Sequence, residues 1–120
     1  MASVFQRAIN VTQGHLLSER TALANTFSSR LRGLVGRRGL NPSEGLLLTP
    51  CNAIHTLFMR FPIDAAFLDA DGKIVKLFPH LVPWRLTGVY GHVRSVLELQ
   101  AGTLEMSNTE HGDQVRFVPV

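Results

Sequence analysis

The chain has 120 residues, 45% of them hydrophobic and 18% charged. This composition fits one globular domain over residues 1–120 and excludes a disordered chain. The single cysteine excludes an intramolecular disulfide and leaves no zinc-finger spacing. No stretch approaches the ~18 apolar residues of a membrane helix, and residues 1–13 lack the apolar core of a signal peptide. We expect a cytoplasmic monomer with no membrane partner.

The charge balance is slightly basic, with twelve Lys and Arg against nine Asp and Glu and a net charge of +3. Four arginines fall within nine residues: Arg30, Arg32, Arg37 and Arg38. They are typical of a solvated helix face. A phosphate or nucleic-acid surface would normally bring more basic residues with interleaved aromatic ones. Only Phe27 lies nearby, so we expect no nucleic-acid partner.

The first third of the chain predicts two strands and one helix. A short strand is expected around residues 9–11, a turn at 13–14, and a second strand over 16–24. From Thr26 onward, apolar residues recur with helical period at i, i+4, i+7 and i+8. This stripe consists of Phe27, Leu31, Leu34 and Val35.

The two ends of this helix also have signals in the sequence. Thr26 or Ser28 can cap its N-terminus. Gly39 is a candidate for the left-handed residue that ends it, with basic side chains in the preceding turn. Gly33 and Gly36 inside the pattern indicate either close backbone packing or an earlier end.

The rest of the chain is predicted to be mainly strands. Residues 45–49 form a buried strand, and residues 63–68 and 73–78 flank an Asp-Gly turn typical of a β-hairpin. Further strands are expected over 95–99 and 114–118, with one helical turn over 103–108. The predicted fold is mainly β (α+β): a compact single-domain antiparallel β-barrel or sandwich of about seven strands with one or two short helices.

Residues 51–64 contain the highest concentration of chemically functional side chains in the chain. The segment holds Cys51, His55 and Thr56, together with further polar groups among large apolar residues. Such segments are reasonable places to look for a site, because buried polar groups need partners. Cys51 and His55 are four residues apart, so a nucleophilic pair would require a helical turn or a tight bend. We favour a buried, structural Cys51 that behaves as a small hydrophobic residue.

Two carboxylates are further candidates. Asp64 follows Arg60 by four residues and predicts an internal ion pair or a turn-capping carboxylate, while Arg60 could clamp a carboxylate or phosphate. Glu98 shares a strand face with Val96, opposite two leucines, and either faces solvent or serves as an acid or base. We expect no metal site, because His80, His92 and Asp64 show no ligand spacing.

The order of these motifs resembles the bacterial and archaeal family called Domain of Unknown Function 192. The matching residues extend over about 15–118. They include Arg30 to Leu34, Ile54 to Thr56 with Met59-Arg60, Pro62 to Asp64, Asp71-Gly72, Pro83-Trp84, Val96 to Leu99, Ala101-Gly102 and Gly112-Asp113. The resemblance implies a compact, mainly antiparallel β fold and no established reaction. Many relatives have Trp-Met-Lys-Asn-Thr at the central motif and several are exported. This chain departs from that pattern, so export is not carried over.

Two classes of function follow. The first is a binding module for a small polar or anionic ligand, with Cys51, His55, Thr56, Met59, Arg60, Asp64 and Trp84 around its pocket. Trp84 would line the mouth by stacking, and His55 and Arg60 would be the anchors. The second is a small hydrolase or transferase that uses His55 with Asp64 or Glu98 as acid and base. The sequence has no cofactor motif and no nucleophile elbow, so we expect no cofactor and favour binding.

Overall fold

The computed structural model describes residues 5–120 and contains one seven-stranded sheet with two short helices. The elements are β1 (Phe5–Asn10), β2 (His15–Ala24), α1 (Phe27–Arg32), β3 (Glu44–Leu48), β4 (Ile63–Leu68), β5 (Ile74–Leu81), β6 (Ser95–Gln100), α2 (Thr103–Met106) and β7 (Val115–Pro119). The strand order across the sheet is β5-β4-β6-β3-β2-β1-β7. The predicted mainly β domain of about seven strands is confirmed.

The sheet is mixed rather than wholly antiparallel. β2 and β3 run parallel, whereas each other neighbouring pair of the sheet is antiparallel. A parallel pair needs a crossover connection, and the segment between β2 and β3 supplies it with α1. The antiparallel prediction was therefore wrong at this one pairing.

The sheet curls into a half-barrel because its two edge strands approach each other at one end. Lys73, just before β5, forms a β-bridge with Gln114, just before β7. The Val115 amide donates to the Gly72 carbonyl at 2.9 Å. Gly72 has a φ of 83°, and a Cβ there would lie 2.6 Å from the Val115 carbonyl oxygen. The Asp-Gly turn predicted from the sequence is thus where the two edges meet.

Both faces of the sheet are covered, so the central strands are buried on two sides. All six residues of β4 are buried. Ala66 and Leu68 belong to a first core that also contains Leu97, Leu99 and the α2 residue Leu104. The alternate β4 residues join a second core under the loops and the segment after α1: Leu34, Leu40, Ile54, Met59, Ile63, Ala65, Phe67, Val93 and Val96.

The helix that begins after Thr26 is shorter than its apolar pattern predicts. The capping prediction is confirmed, because the Ser29 amide donates to Thr26 Oγ1 at 3.1 Å and the Thr26 amide donates to Ser29 Oγ at 3.0 Å. The helix ends at Gly33, the earlier end that the sequence offered as an alternative to Gly39, and buries none of its own residues. Gly33 has a φ of 48°, which redirects the chain so that Leu34 enters the core while Phe27 and Leu31 stay exposed.

Candidate functional site

A cleft of about 280 Å³ lies between α1, residues 50–55 and the strand β6. Its exposed rim comes from α1, its interior is mainly apolar, and its polar groups come from distant parts of the chain. The lining residues are Phe27, Arg30, Leu31, Arg32, Gly33, Leu34, Val35, Leu48, Pro50, Cys51, Asn52, Ala53, Ile54, His55, Met59 and Glu98. Of the candidates from the sequence, the cleft brings together Cys51, His55, Met59 and Glu98.

Glu98 is the deepest polar group of the cleft. Only 2% of it is exposed, and Oε1 has no hydrogen-bond partner among the residues that the structure describes. The side chain lies on the Val96 face of β6, since Leu97 and Leu99 belong to the first core. Burial raises the pKa of this carboxyl to about 8. Glu98 is therefore mostly neutral at pH 7 and presents a proton that it can donate to a bound acceptor.

Cys51 is half-buried, and so less buried than predicted, at the start of the irregular segment that lines the cleft. Its amide donates to the Arg94 carbonyl at 2.8 Å, and its thiol lies 3.1 Å from the Ala53 carbonyl oxygen. Burial raises the pKa of the thiol, and the neighbouring Glu98 shifts it in the same direction. A thiol in these surroundings is a weak nucleophile.

His55 connects the cleft wall to α1. Its Nδ1 accepts from the Leu57 amide at 3.2 Å, so its other ring nitrogen carries the proton of the neutral ring. That nitrogen, Nε2, lies 3.1 Å from the Leu31 carbonyl oxygen at the end of α1. Both ring nitrogens are thus engaged with backbone groups. The residue fixes α1 over the cleft and has no free nitrogen for a ligand.

Arg30 and Arg32 were not among the predicted site residues. Both line the cleft, with Arg30 partly buried and Arg32 exposed, and Arg30 Nη1 donates to the Asn25 carbonyl at 3.0 Å. They belong to the Arg30 to Leu34 motif, one of those that carry the resemblance noted from the sequence. The motif is the sequence signal for these two residues, although its arginines are also typical of a solvated helix face.

Thr56 lies outside the cleft and holds two loops together. Its hydroxyl donates to the Val82 carbonyl at 2.7 Å and accepts from the Arg85 amide at 2.9 Å. The residue is fully buried. Its polar groups are therefore used by the fold and are not free for a ligand.

Asp64 faces the first core, away from the cleft. Its Oδ1 accepts from the His80 amide at 2.8 Å, and its Oδ2 accepts from the Gly102 and Leu104 amides at 3.1 and 2.9 Å. Of the two structural interpretations, the capping carboxylate is observed. The ion pair with Arg60 is not among the ion pairs of the described residues.

Arg60 and Trp84 are exposed and do not line the cleft. The Trp84 ring packs against Phe58, with 4.7 Å between the ring centroids. The predicted anchor pair of His55 and Arg60 is thus not assembled at this cleft. The structure places Arg30, Arg32 and Glu98 there instead.

Known proteins similar to this chain identify its family. The model of the family described as Uncharacterized ACR, DUF192, matches residues 8–117. The chain belongs to the DUF192 family. The resemblance noted from the sequence motifs is confirmed, and the match starts earlier than the predicted residue 15.

Relatives of this DUF192 chain include archaeal proteins named UPF0127. The protein from Thermococcus sibiricus is 34% identical over 111 residues, which cover 89% of this chain and 71% of the relative. The protein from Pyrococcus furiosus is 31% identical over 115 residues, which cover 91% and 96% of the two chains.

Two solved structures share the fold. A protein of unknown function from Novosphingobium aromaticivorans has a TM-score of 0.81 and 24% identity, with 92% of this chain and 83% of that one covered. A Sinorhizobium meliloti protein, provisionally described as a transcription regulator, has a TM-score of 0.82 and 25% identity, with 98% and 96% covered.

Membrane-spanning helices and metal-ion clusters are both absent from residues 5–120, the part of this DUF192 chain that the structure describes. No helix there is long and apolar enough to span a bilayer. No group of three or more His, Cys, Asp or Glu side chains in the same range is arranged to hold a metal ion.

We predict that the Cys51 thiol reacts slowly in the native protein. Its raised pKa leaves little thiolate at neutral pH, and its partial burial hinders a bulky reagent. The measurement is the labelling rate with a maleimide dye at pH 7, relative to the urea-unfolded chain. Native labelling as fast as that of the unfolded chain would contradict the prediction and restore Cys51 as a candidate nucleophile.

Proposed function

We propose that the cleft binds a small organic anion with an apolar body, such as a carboxylate. The observation that carries the proposal is Glu98, which is buried, lines the cleft and has an Oε1 without a partner among the described residues. An unsatisfied buried polar atom is costly. A ligand acceptor placed against the neutral Glu98 carboxyl would satisfy it.

The other cleft residues favour an anion over a cation. Arg30 and Arg32 line the cleft with Glu98, and no other Asp or Glu does. Because Glu98 is buried and Arg32 is exposed, a ligand would meet the positive charge first and the neutral acid further in. Guanidinium groups bind carboxylates through paired, charge-assisted hydrogen bonds.

The apolar wall sets the size and body of the ligand. Leu34, Leu48, Ile54 and Met59 are buried and line the cleft. A volume of about 280 Å³ is at the small end of ligand cavities. We therefore infer a short aliphatic or single-ring ligand.

The proposal is tested by titrating hexanoate and benzoate, with hexanol and benzyl alcohol as neutral analogues, at pH 6.5 and 9. The parent protein should bind the carboxylates more tightly, and their affinity should fall at pH 9, where Glu98 has lost its proton. Glu98→Gln keeps a donor and should retain its affinity at pH 9. Arg32→Gln should weaken binding about tenfold through the lost charge-assisted contact.

Arg38→Gln is the matched control, since Arg38 is exposed and lies outside the cleft. It should bind like the parent. If the alcohols bind as well as the carboxylates, or if Glu98→Gln shows the same loss at pH 9 as the parent, the proposal is wrong. Calorimetry gives the affinities directly.

The second candidate is a small hydrolase or transferase with Glu98 as its acid or base. A pKa of about 8 in a cleft is in the range that general acid–base catalysis uses. His55 has both ring nitrogens engaged and Asp64 lies on the other face, so Glu98 is the group that this alternative retains. Turnover of p-nitrophenyl ester probes that Glu98→Gln abolishes while binding persists would favour the enzyme.

The regulatory description of the Sinorhizobium protein is not favoured for this chain. The longer of the two helices within residues 5–120 has six residues, less than two turns, and two of its four exposed side chains, Phe27 and Leu31, are apolar. A recognition helix presents polar side chains to base edges in the major groove.

A further inference from the structure

Two neighbouring loops expose four large apolar side chains. Phe58, Trp84, Leu86 and Val89 are 64%, 56%, 72% and 73% exposed. None of the four lines the cleft. We call these four residues the loop surface. Single exposed apolar residues are ordinary, but several of them on two loops joined by hydrogen bonds mark a site of interaction.

The loop surface is held in place by hydrogen bonds between its two loops. The Trp84 amide donates to the Thr56 carbonyl at 2.9 Å, and the Thr87 amide donates to the Ile54 carbonyl at 3.0 Å. The Phe58 and Trp84 rings are in contact, with 4.7 Å between their centroids. These bonds keep both rings together on the outside of the protein.

The backbone beneath the two rings is unusual. Phe58 has a φ of 64° and Trp84 a φ of 66°. Bulky side chains rarely adopt this left-handed conformation. Residues held in such a conformation cluster at functional sites, and here the conformation presents aromatic rings to solvent.

The two loops that carry the loop surface contain no acidic residue. Residues 51–62 and 82–93 contain Arg60 and Arg85 and no Asp or Glu, and both arginines are exposed. A partner that is apolar and has a negatively charged boundary complements this surface.

We propose that the loop surface docks on the surface of an anionic lipid bilayer. Trp and Phe side chains favour the boundary between headgroups and acyl chains, and each arginine near an anionic leaflet adds to the attraction. A second copy of the chain fits less well, because two such surfaces would place like charges together. Docking of this kind is peripheral and needs no membrane-spanning segment. The expectation of no membrane partner rested on the lack of such a segment, so it does not apply to peripheral docking.

Trp84 reports on its own environment, because it is the only tryptophan of the chain. The experiment titrates the protein with phosphatidylcholine vesicles that contain either no phosphatidylglycerol or an equal part of it, and follows Trp84 emission and co-sedimentation. We expect the emission to move to shorter wavelength, and the protein to sediment, only with the anionic vesicles. Half-molar salt should reverse both effects.

Variants separate the apolar contribution from the charges. Phe58→Asn, a residue that tolerates a positive φ, should weaken partition about tenfold by removing the buried ring. Arg60→Gln with Arg85→Gln should weaken it about 30-fold, or about fivefold for each arginine. Met106→Asn and Arg116→Gln, which change exposed residues on α2 and β7, should partition like the parent. Circular dichroism melting confirms that each variant is folded.

Three outcomes would overturn the proposal. The first is unchanged emission with anionic vesicles, and the second is equal binding to neutral ones. The third is binding to polyglutamate without binding to vesicles, which would assign the loop surface to an acidic protein partner. Because the loop surface and the cleft are separate, none of these outcomes bears on ligand binding in the cleft.

Discussion

Asp64→Ala should lower the free energy of unfolding by about 4 kcal/mol or more. The Asp64 carboxylate is 1% exposed and accepts three backbone amides, from His80, Gly102 and Leu104. Alanine would leave these amides without their acceptor, and each unsatisfied buried donor costs about 1–3 kcal/mol. Small domains are stable by only about 5–15 kcal/mol, so the variant should be close to unfolding. Urea denaturation followed by circular dichroism measures the difference.

Asp71→Ala is the control for this variant. It removes the same charge from an exposed turn position, and surface changes of this kind are usually within about 0.5 kcal/mol. A loss of less than about 1 kcal/mol in Asp64→Ala would mean that water replaces the carboxylate. Asp64 would then not be the connection between β4, the end of β5 and the N-terminus of α2.

The strand pattern could be predicted because it depends on local alternation and turn chemistry. The Asp-Gly turn fixed the β4–β5 hairpin, and the period of two placed Glu98 with Val96 opposite the leucines, as observed. What alternation does not reveal is which face is covered. Solvent and the cleft were both possible surroundings for Glu98, and the choice depends on α1 and residues 50–55, which lie far away in sequence.

The cleft itself could be predicted only in part. Cys51, His55 and Met59 are brought together with Glu98, but Arg60 and Asp64, close to them in sequence, point elsewhere. The chain between His55 and β4 is irregular and contains Phe58 at a positive φ, so spacing does not determine direction there. Arg30 and Arg32 reach the cleft because α1 ends early at Gly33 and is held by His55, a contact between residues 24 positions apart.

Glu98 connects the proposed function to the stability of the fold. A carboxyl group without a partner at this depth contributes less to folding than an apolar side chain would. Proteins retain such groups mainly at functional sites. If the group is kept for a ligand, its effect on stability should be visible when no ligand is present.

We therefore expect the parent protein to lose stability with rising pH in a way that Glu98→Gln does not. The folded pKa of about 8 lies above the ordinary value of 4.5, so the folded state binds more protons than the unfolded state between these values. The contribution of Glu98 to stability is then largest below about pH 4.5 and falls as the pH rises to about 8. The difference in unfolding free energy between parent and Glu98→Gln should change by roughly 3–5 kcal/mol over this window.

Urea unfolding at one-unit intervals from pH 4 to 9 measures this difference. The contributions of the other titrating groups cancel in it, because both proteins contain them. Glu105→Gln, which removes an exposed carboxylate, should follow the parent. Parallel curves for parent and Glu98→Gln would show that Glu98 is ionised in the folded protein, and the cleft would then favour a cationic group over an anion at its inner end.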